Sequence, residues 1–200
     1  MARRVLILFA HPILERSRVN RRLLDGARDL AGVTIHDLYE EYPTFAVEPA
    51  REQALLAAHD VVVLQHPFYW YSAPALLKEW LDLVLQLGWA YGPGGTALRG
   101  KLMLNAITTG GSAEAYQPDG KNRFTLRELL TPFDQTAHLC GMTYLAPFVV
   151  HGALRLDDDG DVGPHVRAYR ALLTALRDDT LDLAGAARAP TLRVEAGGRP

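Results

Sequence analysis

Between residues 61 and 85 the chain changes its period once, and that change limits the folds open to it. Val61, Val62, Val63 and Leu64 form a continuous apolar, largely β-branched run, the pattern of a strand buried on both faces. Leu76, Leu77, Trp80, Leu81, Val84 and Leu85 then recur at helical spacing. Ser72 is placed to cap that helix, Pro74 to sit in its first turn, and Gly88 to stop it. A doubly buried strand feeding an amphipathic helix is the unit of a parallel, helix-covered sheet. The connection itself departs from the norm. Where a short polar turn is expected, the chain reads Gln65, His66, Pro67, Phe68, Tyr69, Trp70, Tyr71. In an open α/β sheet such a turn lies outside the carboxyl end of its strand, where ligands bind. Aromatics there require a flat ligand, a partner chain, or both to cover them.

The same unit repeats along the chain. Residues 5–9, 33–38, 102–107 and 144–150 read as further strands, the last interrupted by Pro147. Helical segments are expected around Val19, Leu23, Leu24, Ala27 and Leu30, over residues 51–59, from Thr125 onward, and around Val166, Tyr169, Leu172, Leu173 and Leu176. Pro132 breaks the third of these or opens a new helix behind Thr131, and residues 39–49 read as a loop. Five strands alternating with helices imply an α/β, doubly wound, five-stranded parallel sheet with helices on both faces; in the flavodoxin-like order 2-1-3-4-5, known from other proteins and not fixed by this pattern, the loops after strands one, three and four would meet at the switch point. Residues 1–185 read as a single domain. Residues 186–200, rich in Ala, Gly, Arg and Pro, read as a flexible tail.

Bulk properties narrow the function. A formal net charge of -2 gives no electrostatic case for nucleic acid. Cys140 is the sole cysteine, so neither a disulfide framework nor a thiolate metal cluster is expected, and no metal site is assigned. No apolar run approaches the length of a membrane span. A cytoplasmic protein is the natural reading, with peripheral attachment at the inner face of the cell membrane compatible with it.

Chemistry is expected where three strand-end loops meet. Ser17, Arg18, Val19 and Asn20 open the first helix, where backbone N–H groups suit a phosphate and Arg18 adds charge. His11 precedes them. Phe68, Tyr69, Trp70 and Tyr71 pack on a planar ring, and Thr108, Thr109, Gly110 and Gly111 offer hydroxyls and amides at a backbone a ring can approach closely. Two apparent motifs fail. Residues 95–102 nearly spell a P-loop but end in Leu102 and precede a strand. The acidic run 157–161 has the wrong spacing for a calcium loop and reads as a solvated turn.

Taken in order, His11-Pro12, Ser17 with Asn20, the stretch from Gln65 to Ser72, Gly88-Trp89-Ala90-Tyr91-Gly92, and Thr108 to Gly111 resemble the flavodoxin-fold NAD(P)H:quinone oxidoreductases. Within them the chain looks most like the ancillary proteins of glutathione-regulated potassium efflux systems, over residues 3–180. The resemblance implies bound FMN, less readily FAD, a homodimer, and two-electron, ping-pong reduction of quinones by NADH or NADPH. The alternative it implies is a regulatory subunit docking on a potassium efflux transporter, its flavin structural or redox-sensing. It places flavin contacts at His11, at Ser17 to Asn20, at Phe68 to Tyr71 and at Thr108 to Gly111. Tyr116 matches a tyrosine of the family's catalytic and substrate site. Asn122 stands at a substrate-site position where relatives carry histidine.

Overall fold

The computed structural model describes residues 2–156 and 162–192. In chain order it contains β1 (Val5–Phe9), α1 (Val19–Asp25), β2 (Val33–Asp37), α2 (Leu38–Glu41), α3 (Pro49–Ala57), β3 (Val61–Pro67), α4 (Ala75–Val84), β4 (Leu102–Thr108), α5 (Leu126–Leu129), α6 (Thr131–Leu139), β5 (Thr143–Tyr144), β6 (Phe148–Val150), α7 (Val162–Arg177) and α8 (Leu183–Arg188). Short 3-10 turns occupy Leu14–Arg16 and Ala113–Tyr116.

The strands pair in the order β2-β1-β3-β4-β5, all parallel, with β6 also on β4. The continuous apolar runs now have their cause: alternate residues of one strand feed two separate cores. Val5, Ile7, Phe9, Val61, Val63 and Leu104 pack with α1, α7 and α8 on one face. Leu6, Leu8, Val62, Leu64, Met103 and Ile107 pack on the other with Leu56 of α3, Leu76, Leu77 and Trp80 of α4, and Phe133 of α6. Burying both faces leaves no polar side of the sheet, so its ligand has to sit at an end.

Several boundaries differ from expectation, each for a local reason. The last strand is two strands: β5 pairs with Leu102 and Met103, β6 with Ala106, Ile107 and Thr108, and Pro147, lacking an N–H, lies in the break. Residues 39–49 are not all loop, because the Asp37 side chain accepts from the amides of Tyr39 and Glu40 and starts α2. The first helix ends at Asp25 and residues 26–30 turn away. Pro74 is the N-cap of α4 and Ser72 belongs to the preceding turn; the helix stops at Val84, before Leu85 and Gly88. The expected tail boundary also moves. Ala186 is buried within α8, and Leu192 donates its amide to Pro147 O at 2.8 Å, so residues 186–192 pack on the fold. The acidic run 157–161 and residues 193–200 lie outside the described residues. Among the described residues no helix is long and apolar enough to cross a membrane.

Candidate functional site

At the carboxyl ends of β1, β3 and β4 two cavities lie side by side and share Phe68 and Gly110. The first, about 510 Å³, is lined by His11, Ser17, Arg18, Val19, Asn20, Phe68, Tyr69, Thr108, Thr109 and Gly110. The second, about 570 Å³, is lined by Phe68, Trp70, Tyr71, Gly110, Gly111, Tyr116 and Asn122. All fifteen residues picked out from sequence therefore line one or both cavities. Sequence reasoning missed Arg16, Ala153 and Leu154 of the first wall, and Ser112, Lys121 and Arg155 of the second. A cluster of cations beside loop residues was the only signal for Arg16; Lys121 and Arg155 carried none.

The first cavity is braced from below. Ser17 Oγ, one residue ahead of the Arg18 N-cap of α1, accepts from the Asn20 amide at 3.1 Å, and the Asn20 side chain donates Nδ2–H to Thr108 Oγ1 at 2.8 Å. Gln65 donates to Asn20 O at 3.1 Å and accepts from Tyr169 OH at 3.0 Å, tying α1, β3 and α7 together. The two side chains expected on a phosphate thus already hold the loop in shape. His11 accepts the Ile13 amide on Nδ1 at 3.2 Å, which leaves the proton of the neutral ring on Nε2. Burial holds its pKa below the ordinary histidine value despite the Glu15 carboxylate nearby, so the ring is neutral at pH 7.

Between the cavities runs a strained turn. Phe68 N–H donates to Thr108 O at 2.9 Å, which holds the end of β3 against β4. Ser72 N–H donates to Tyr69 O at 2.9 Å, closing a tight turn with Trp70 at φ 48 and Tyr71 at φ 61. Positive φ at both central positions is the geometry that normally selects Asn or Gly. Two aromatics there each cost on the order of 1–3 kcal/mol, strain of the kind found at functional sites. Its effect is to project Trp70, 93% exposed, straight into solvent. Beneath the turn His66 is fully enclosed. Its Nδ1–H donates to Pro67 O at 3.0 Å and its Nε2 accepts from Asn105 Nδ2 at 2.9 Å, while Tyr144 OH donates to Asn105 Oδ1 at 2.5 Å. Burial lowers the His66 pKa to about 4, so this chain of bonds is neutral and structural.

In the second cavity Tyr116 lies between the rings of Phe68, 6.1 Å away, and His151, 5.9 Å away. Tyr71 OH donates to Asn122 Oδ1 at 3.3 Å, so Asn122 fills its place as a hydrogen-bond partner of the aromatic wall.

A phosphate-bearing flavin suits these residues on three observations. Asn20 Oδ1 is a buried acceptor with no partner, in a residue 2% exposed that lines the cavity. A β-carbon on Gly110 would stand 3.2 Å from Leu154 Cδ1, and one on Gly111 3.1 Å from Tyr116 Cε2, so a side chain at either would press on its neighbour, and bare backbone leaves room for a ring to approach. Arg16 and Arg18 line the first cavity, and among the described residues no carboxylate does. The orphaned Asn20 atom is an acceptor, which matches a ligand hydroxyl or N–H better than a phosphate oxygen.

Known proteins match this chain in sequence and in fold. Residues 3–173 match the Flavodoxin_2 family, described as a flavodoxin-like fold. The chain is 51% identical, over 83% of its length and 90% of the other's, to the glutathione-regulated potassium-efflux system ancillary protein KefG of Pectobacterium carotovorum. General stress protein 14 of Treponema denticola, solved in complex with FMN, superposes with a TM-score of 0.81 at 38% identity, covering 86% of this chain and 99% of that one. An NADPH-quinone reductase of P. pentosaceus superposes with a TM-score of 0.77 at 35% identity, covering 84% of this chain and 96% of that one.

Proposed function

We propose, from the premise that this chain belongs to the Flavodoxin_2 family of flavodoxin-like folds, that it is an FMN-dependent NAD(P)H:quinone oxidoreductase. The observation that carries the reading is the pair of cavities divided by Phe68 and Gly110, one hydroxyl-rich with Arg16 and Arg18, the other aromatic with a buried phenol beside Lys121 and Arg155. FMN would supply the hydride chemistry, accepting from a nicotinamide and passing on to a quinone. The protein's own part is to bind, orient and exclude water. His11, Ser17, Arg18, Val19 and Asn20 would hold the phosphate and ribityl chain. Phe68, Tyr69, Thr108, Thr109, Gly110 and Gly111 would position the ring. Tyr71, Tyr116 and Asn122 would face the acceptor, with Tyr116 OH as a proton donor. NADH and NADPH are both admitted as donors, and the open second cavity takes donor and acceptor in turn.

Trp70 supports a homodimer. A tryptophan this exposed at the mouth of a site is the kind of surface a closed two-fold pairing covers. A second role is favoured by the KefG relative, whose name assigns it to a potassium-efflux system: docking as an ancillary subunit on such a transporter from the cytoplasmic side. The two roles are compatible in one molecule. Purified protein is expected to show the absorption of oxidised flavin, or to acquire it with FMN, and to consume NAD(P)H only when a quinone is supplied. Colourless protein that takes up neither FMN nor FAD would remove the enzymatic reading.

A further inference from the structure

A quinone taken to its hydroquinone gains a hydride and a proton. Tyr116 is placed to give that proton, but its phenol is buried in the cavity wall and must be reloaded between turnovers. The backbone brings a histidine within reach from 35 residues down the chain. Thr109 N–H donates to Val150 O at 2.9 Å, Ala153 N–H donates to Thr109 O at 2.9 Å, and Gly152 N–H donates to Gly111 O at 2.9 Å. These bonds carry the β4–β6 pairing past the strand ends and set His151 opposite Thr109. Gly152, at φ 65, then turns the chain away.

The side chains complete a path. Thr109 Oγ1 donates to Gly111 O at 2.8 Å and lies 3.3 Å from His151 Nδ1, whose N–H it is free to accept. The same hydroxyl neighbours the Tyr116 phenol, whose pKa burial raises and this neighbour pulls back down. Tyr116 and His151 also meet ring to ring, tilted by 42°. Thr109 is 1% exposed and His151 half-buried, so His151 is the member of the three nearest to solvent.

Resting on the quinone-reductase reading, we propose that His151 is a positioning and proton-supplying residue that reloads Tyr116 through the Thr109 hydroxyl. The balance is simple. Tyr116 O–H breaks and its proton goes to the quinone oxygen. The Thr109 hydroxyl turns from Gly111 O and passes its proton to the phenolate. Protonated His151 replaces it from Nδ1, and water restores the imidazolium. No further oxidant or reductant is required. Among the described residues the Glu114 carboxylate and the Tyr116 phenol are the titratable groups facing His151.

The test uses FMN-loaded protein with the two half-reactions followed separately by rapid mixing. In His151→Gln, reduction by NAD(P)H stays near the parent's rate, while quinone reduction slows about ten- to a hundredfold without a change in quinone KM. In the parent, quinone reduction falls as pH rises through the histidine range of about 5–8, and this limb is absent in the variant. Added imidazole partly rescues His151→Ala. A readout independent of turnover is the NMR titration of the His151 ring in protein without flavin, whose midpoint moves in Thr109→Val and in Tyr116→Phe. Equal slowing of both half-reactions, no slowing, or a His151 titration indifferent to both substitutions would overturn the proposal. A parent protein that binds FMN yet reduces no quinone would sink the quinone-reductase reading instead, and the titration would still decide whether His151 and Tyr116 are linked.

Discussion

Glu52 is the substitution whose cost the structure lets one work out. It sits in α3, is 0% exposed, and receives three donors: His36 Nε2 at 2.9 Å and Tyr42 OH at 2.6 Å on one oxygen, Trp80 Nε1 at 2.7 Å on the other. It thereby pins β2 and α2 to α4, the helix that follows the aromatic turn. Burial pushes its carboxyl upward, but the hydrogen bonds from His36, Tyr42 and Trp80 outweigh this and hold its pKa below the ordinary value of 4.5. In Glu52→Gln the carbonyl can turn to Trp80, whose N–H only donates, while the NH2 turns to Tyr42 and His36, which can both accept. Three bonds survive without the charge. Each drops from about 1.5–3 to about 0.5–1.5 kcal/mol, partly offset by the relieved burial of charge, for a net loss of about 1–3 kcal/mol. Glu52→Leu strands all three donors at about 1–3 kcal/mol each and is expected to lose about 4–6 kcal/mol, a large part of a domain's stability. The pH dependence follows from the lowered pKa. The carboxylate's contribution is full above the unfolded-state value near 4.5 and is lost as pH falls through the lower folded value. The gap between parent and Glu52→Gln in urea unfolding should therefore be widest at pH 7 and close towards pH 3. If Leu costs no more than Gln, or if the gap is the same at both pH values, the carboxylate is not what holds these elements together.

Three further outcomes are expected. Asn20→Ala should raise the Kd for FMN about ten- to a hundredfold, from a loss of about 1–3 kcal/mol, and weaken riboflavin comparably, whereas Ser17→Ala should weaken FMN but spare riboflavin; fluorescence titration separates the two. Light scattering at micromolar concentration should find the proposed homodimer in the parent and a monomer in Trp70→Ser; a monomeric parent would remove the dimer, and an unchanged mass in the variant would remove Trp70 from its interface. Gly111→Ala should leave FMN binding within a few fold but impair quinone turnover, because its β-carbon would press on Tyr116 Cε2 at 3.1 Å; unaltered turnover would mean the Tyr116 ring yields freely.

The strands were legible because each is a compact apolar run and the crossover helices carry their own period, whereas their order came from the likeness to the flavodoxin-like fold. Most of the candidate site was legible for a related reason: its residues lie in loops directly after β1, β3 and β4, while Tyr116 and Asn122, farther along, came from the family resemblance. What escaped notice depends on distance along the chain. His151 follows an ordinary strand, and only the β4–β6 register brings it to Thr109. Glu52 is one glutamate in a nine-residue helix, with nothing in its neighbours to say that it faces inward. The turn at Trp70 and Tyr71 contradicts local preference outright, since bulky aromatics disfavour positive φ, and no propensity argument yields it. Ser17 and Asn20 were found for their chemistry, while their bracing bonds to one another and to Thr108 required the fold.

The break at Pro147 has a consequence for how molecules of this chain behave in a crowd. Beyond β4 the sheet has only two short strands, so its outer edge is the weakest place to stop. Where β5 gives way to β6, Ala146 N–H donates to Ala186 O at 2.9 Å and Leu192 N–H donates to Pro147 O at 2.8 Å. The segment from α8 to Leu192 therefore spends the free hydrogen-bonding groups that an exposed edge would offer to another chain. A version cut before Leu183 would keep both cavities and the whole strand order, yet carry a bare edge beside an apolar face. Such a molecule should bind its cofactor as well as its parent and still come out of solution, because an unguarded edge pairs with any extended segment it meets.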